Sequence, residues 1–73
     1  MDERATTQVG RNIRDIRIRK GITQRVLADR THYEFNYIQA IESGHSDVTL
    51  VRAYKFAIAL GCPVGDLFRE PVN

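Results

Sequence analysis

Asn36, Gln39, Ala40 and Ser43 are spaced i, i+3, i+4 and i+7, so on a helix they share one face, with Ile38 and Ile41 on the opposite one. A helix that served only a hydrophobic core would show lysines and glutamates on its outer side. This one shows amides and small side chains. An amide presents a donor and an acceptor in one plane, which matches the N6 and N7 edge of adenine in a major groove, while Ala40 and Ser43 let a backbone come close. Other chemistry finds little support. Cys62 is the single cysteine, and with His32 and His45 it makes no metal-ligand spacing. Paired carboxylates, a serine or cysteine beside a positioned base, and a glycine-rich phosphate loop are all missing from the sequence. No enzyme, metal site or cofactor is therefore expected, and Cys62 is read as structural.

The elements that must position this face are short. A chain of 73 residues makes one domain at most, and a chain of that size removes only about 60% of its unfolded surface from water. Helix packing must supply most of its stability. No apolar run approaches the roughly 20 residues that span a bilayer, and the N-terminus lacks the apolar stretch of a secretory signal, so a cytoplasmic location is expected. Charge is unevenly distributed: residues 1–30 hold eight basic groups against four acidic ones, and residues 31–73 hold three against five. Such a basic half either concentrates a polyanion such as nucleic acid or is a solvated helix face, and charge alone does not choose.

Periodicity predicts an all-α chain. Val9, Ile13, Ile16 and Lys20 mark one stripe of a helix from about Thr7 to Lys20, closed by Gly21. Thr23 can cap a second helix, Gln24 to Arg30, with Val26 or Leu27, Ala28 and Thr31 inward. The third helix, about 34–43, carries the amide face and ends at Gly44. Thr49 can cap a fourth, with Leu50, Ala53, Tyr54, Ala57 and Leu60 as the buried stripe and Gly61 as its stop. Pro63 suits the first turn of a fifth helix ending near Phe68. No segment alternates with period two, so strands are not expected. The expected organisation is a flexible arm over residues 1–6, a five-helix domain over 7–70 and a tail over 71–73.

The run TQRVLADRTHYEFNYIQAIESG, from Thr23 to Gly44, resembles the helix-turn-helix of the lambdoid phage repressor and Cro family, also called the xenobiotic-response-element family. The resemblance extends over about 60 positions, through IESG at the end of the third helix and ALGCPVGDLF near the C-terminus. It rests on Thr23 and Gln24 opening the first motif helix, Ala28 where the two helices cross, and Ile38 and Ile41 locking the second. It implies a compact lambda-repressor-like domain that binds double-stranded DNA, with the third helix in the major groove. Two positions depart from the pattern. His32 stands where the family usually has a glycine, in left-handed geometry that costs a non-glycine residue about 1 kcal/mol. Glu34 stands where a serine or threonine usually caps the recognition helix; its carboxylate either accepts from a cytosine N4 amine or faces solvent at the positive end of the helix dipole.

Under that resemblance, phosphate contacts set position and base contacts set sequence. Base reading falls to Glu34, Phe35, Asn36, Gln39, Ala40 and Ser43. Phe35 either packs on a thymine methyl or folds back on its own helix. Gln24 would grip a phosphate with its side chain and the amides beside it, and Arg11, Arg25, Tyr37, His45 and Arg52 are further backbone contacts. Tyr37 leads these because the family often carries tyrosine there. The resemblance also implies a structural ion pair between Arg17 and Glu42. One recognition helix covers too few base pairs to select a site, so the expectation is a small stand-alone regulator acting as a homodimer on inverted half-sites. Val48, Val51, Val64, Leu67 and Phe68 are the candidate interface residues, although Leu67 and Phe68 serve equally well to close the monomer core. The alternative on the same scaffold is an antitoxin or protein-binding subunit with DNA contact secondary. A toxin or RNA polymerase is then the further partner to consider.

Overall fold

Local signals set most helix boundaries. In the computed structural model, which describes residues 3–70 and their side chains from Gln8 onward, α1 spans Glu3–Arg19, α2 Gln24–Thr31, α3 Phe35–Glu42 and α4 Leu50–Leu60. The helix starts at Glu3, earlier than the expected Thr7; of the proposed arm, residues 1–2 lie outside the described residues, as does the tail 71–73. Thr23 caps α2, its hydroxyl accepting from the Val26 amide at 3.1 Å, and Thr49 caps α4, accepting from the Arg52 amide at 3.3 Å. His32 closes α2 at φ 62°, the left-handed turn expected of it. Buried Thr31 holds that turn from inside: its hydroxyl donates to the Leu27 carbonyl at 2.9 Å and accepts from the Tyr33 amide at 3.3 Å.

Three expectations need correction. Among the described residues the chain forms four α-helices and not five, because Val64–Phe68 is a 3₁₀ turn. Five residues with Gly65 among them cannot offset the cost of nucleating an α-helix, and the Asp66 amide instead bonds the Pro63 carbonyl at 3.0 Å. The buried stripe of α4 is also rotated. Ala53, Phe56, Ala57 and Leu60 face inward, whereas Leu50 is 62% and Tyr54 53% exposed. Phe56, fully buried, lies 5.4 Å from the Tyr33 ring. Lys20 is likewise not part of the α1 stripe. Its ammonium donates to the Gly61 carbonyl at 3.0 Å, and Arg30 donates to the Ala59 carbonyl at 2.9 Å, so two cations of the basic half satisfy the C-terminal end of α4.

Val9, Ile13 and Ile16 of α1, Leu27 and Ala28 of α2, Ile38 and Ile41 of α3 and the α4 stripe meet in one core, closed from below by Leu67. Leu67 has no exposed surface, so it is withdrawn as an interface residue: it seals the monomer. Asn12 holds that seal by donating to the Leu67 and Arg69 carbonyls at 3.0 and 2.8 Å. Val48 and Val64 are half-buried against the same core. Gly10, buried on α1, marks the closest approach of two helices. A β-carbon there would collide with the Ile41 carbonyl at the end of α3, so any other residue would push α1 away from α3. Sequence periodicity gave no sign of this crossing.

Candidate nucleic-acid interface

α3 is held by its apolar side and by its last turn. Ile38 and Ile41 are buried, at 0% and 1% exposure, and on the opposite side Asn36, Gln39 and Ser43 are exposed and Ala40 half-exposed. At the C-terminal end, Arg17 meets Glu42 through two bonds, Nε to Oε2 at 2.8 Å and Nη2 to Oε1 at 2.9 Å, and donates a third to the Ile22 carbonyl at 2.9 Å. The Glu42 side chain is only 2% exposed, so its carboxylate meets these donors in place of water. Gln24 joins the group, donating from Nε2 to Glu42 Oε1 at 3.1 Å. One of the two hydrogens of its side-chain amide is thus directed at the ion pair.

The remaining candidates fall into three local groups. At the front of α3, the Arg25 guanidinium lies 4.5 Å from the centroid of the half-exposed Phe35 ring, which is therefore neither in the core nor loose. Glu34 begins the helix and makes no side-chain capping bond. Along the flank, Tyr37 packs edge-on against Tyr33 at 5.2 Å, and its hydroxyl accepts from Arg52 Nη1 at 2.8 Å. That hydrogen bond holds the Arg52 guanidinium above its ordinary pKa, and burial pushes the Tyr33 phenol up against the opposing charge of Arg52. At the far end, Ser43 Oγ and His45 Nδ1 are 2.8 Å apart. Burial also pushes the Cys62 thiol up, the nearby Asp66 adding to the rise.

Arg11 is exposed on α1 and stands apart from these groups. Arg14 does not. With Gln24, Gln39, Glu42 and Ser43 it lines an open concavity of about 340 Å³ beside the recognition face. Sequence reasoning passed over it, yet the signal was present: Arg14 lies three residues before Arg17 and so shares the side of α1 that faces α3. Among the described residues no group of histidine, cysteine and acidic side chains could hold a metal ion, and no helix is long and apolar enough to cross a membrane.

Comparison with known proteins agrees with this geometry. Residues 13–67 match the helix-turn-helix family. An uncharacterized HTH-type transcriptional regulator of Sinorhizobium fredii, y4dJ, is 34% identical over 53 residues, which are 73% of this chain and 69% of that protein. Among solved structures, the restriction-modification controller protein C.AhdI from Aeromonas hydrophila is 32% identical with a TM-score of 0.81, over 86% of this chain and 96% of that one. The hypothetical transcription factor NHTF from Neisseria is 30% identical with a TM-score of 0.83, over 97% and 83% of the two chains.

Proposed function

Because the chain belongs to the helix-turn-helix family of Cro/C1-type transcriptional regulators, we propose that it recognises a specific double-stranded DNA sequence by placing α3 in the major groove, as a symmetric dimer on inverted half-sites. The observation that carries this reading is the contrast across α3: one side completely buried and braced by Arg17 and Glu42, the other a strip of amides and small residues left uncovered. A rigid helix with an uncovered hydrogen-bonding face suits base-edge readout, because the cost of ordering it is already met by folding. Selection of bound sites from random duplexes tests the reading. A palindromic site should emerge, and failure to enrich any sequence with folded protein would reject it.

Within that reading Asn36 and Gln39 read bases, and Ala40 and Ser43 line the approach. Asn36→Ala should leave the melting temperature unchanged and relax base preference at one position of each half-site, with a loss of about 1–3 kcal/mol against the preferred base. Binding titrations on single-position variants of the selected site would show it; undiminished discrimination at every position would remove Asn36 as a reader.

Arg14 is added to Arg11, Arg25, Tyr37, His45 and Arg52 as a phosphate contact, since it lies beside the recognition helix and carries its charge into the adjoining concavity. Each phosphate contact removed lowers the slope of log affinity against log salt by about 1, so a symmetric dimer that loses one from each protomer loses about 2. Arg14→Ala should do this while keeping the sequence preference intact. A parent protein whose affinity barely changed with salt would point instead to a protein-binding role.

The dimer is assigned to the outer face of α4. Leu50, Val51, Tyr54 and Ile58 lie there, 53–81% exposed, and Val51 alone of the sequence-derived interface set belongs to that helix. Phe68 is 45% exposed on the 3₁₀ turn. A contiguous apolar helix face on so small a domain suits a second copy of the same chain, whose identical face would meet it across a two-fold axis.

A further inference from the structure

The front of α3 carries two side chains whose settings folding alone does not require. Glu34 occupies the cap position, where a side-chain oxygen ordinarily accepts a backbone N–H, yet it makes no such bond and stays exposed. Phe35 is half-exposed and fixed by the Arg25 guanidinium 4.5 Å from its centroid. All three residues line one open concavity of about 410 Å³ between α2 and α3.

An ionised carboxylate only accepts hydrogen bonds. In the major groove it therefore suits the N4 amine of cytosine, is opposed by the O4 of thymine, and meets in adenine an amine with the N7 acceptor beside it. A phenyl ring asks for something different, an apolar group such as the C5 methyl of thymine. Cytosine satisfies the carboxylate and lacks the methyl. Thymine has the methyl and presents the wrong polar group. One base carries an amine at C4 next to a methyl at C5. Resting on the DNA-reading function above, we propose that Glu34 and Phe35 together select 5-methylcytosine over both cytosine and thymine at one position of each half-site. Arg25 holds the ring in place, and its positive charge offsets the carboxylate where the phosphates pass.

The test begins with selection from two random duplex pools, one synthesised with deoxycytidine and one with 5-methyldeoxycytidine. The enriched half-site is then remade with cytosine, 5-methylcytosine or thymine at each pyrimidine, and affinities are read by fluorescence anisotropy at fixed salt. At one position 5-methylcytosine should bind about fourfold tighter than cytosine, the factor expected for removing one methyl-sized group from water. Thymine there should bind on the order of tenfold more weakly than 5-methylcytosine. Phe35→Ala should abolish the methyl gain and keep the preference for cytosine over thymine. Glu34→Gln, whose amide can both accept and donate, should lose that preference and keep the methyl gain. Equal affinity for the methylated and plain base at every position, or a methyl gain that survives Phe35→Ala, overturns the proposal while leaving sequence-specific binding standing. Enrichment of no half-site from either pool would remove both.

Discussion

Glu42→Ala is expected to lower the stability of the fold by about 3–5 kcal/mol, the loss that follows from leaving a partner charge buried and alone. Arg17 would keep only its bond to the Ile22 carbonyl, at 2.9 Å, with its side chain 12% exposed, and the Gln24 amide would lose its acceptor as well. Domains of this length have a total stability of about 4–11 kcal/mol, so the variant would stand close to its unfolding threshold. A fall in Tm of more than about 12 °C is the expected result in a thermal melt followed by circular dichroism. The pair itself need not be strongly stabilising. Replacing both members by methionine removes the two charges together, and the double variant should be far more stable than the sum of the single losses predicts. An unchanged Tm for Glu42→Ala would mean that the ion pair does not brace α3. The expected consequence for DNA binding follows from position: Glu42 is the last residue of α3 and Gly10 contacts Ile41 beside it, so both braces act on the same end of the recognition helix.

How far the sequence revealed this arrangement depended on the range of the forces involved. The caps at Thr23 and Thr49, the left-handed turn at His32 and the two faces of α3 were legible because each is settled within a few residues of chain. Residue types in α4 left its orientation open. LVRAYKFAIAL places apolar side chains on nearly every side, so a stripe through Leu50 and Tyr54 reads as well as one through Phe56. Only the packing of fully buried Phe56 in the core, against Tyr33 of the motif turn, decides between them. Gly10 was silent for a similar reason, since its role exists only where α1 meets the α3 backbone. Gln24 makes a further contact that its sequence neighbours do not reveal. Its position opens α2 as expected, and its Nε2 gives one of its two hydrogens to the carboxylate of Glu42. A charged acceptor makes the stronger hydrogen bond, and nothing local to Gln24 announces its presence.

Ile58→Asp should separate folding from assembly, and it carries the largest expected effect on DNA binding. Ile58 is 81% exposed in the monomer, so the substitution removes little from the core and the chain should melt within a few degrees of the parent. In the proposed dimer the same change counts twice, because a two-fold axis brings both copies to one interface and buries two carboxylates against an apolar face. Leu50 and Tyr54, at i−8 and i−4 from Ile58 and 62% and 53% exposed, extend that face along the helix and offer the buried acid no positive charge. Sedimentation equilibrium should therefore find the parent dimeric and the variant monomeric at micromolar concentration. Linking two half-site readers in one particle raises the effective concentration of the second, an advantage of about 10²–10⁴ that the variant would forfeit on a full palindromic site. On a duplex holding a single half-site the two proteins should bind alike, since α3 and its braces are untouched. That equality makes the experiment decisive: a variant that stays dimeric and keeps parental affinity for the full site places the interface elsewhere, and one that loses half-site binding as well shows α4 acting on the reading head itself.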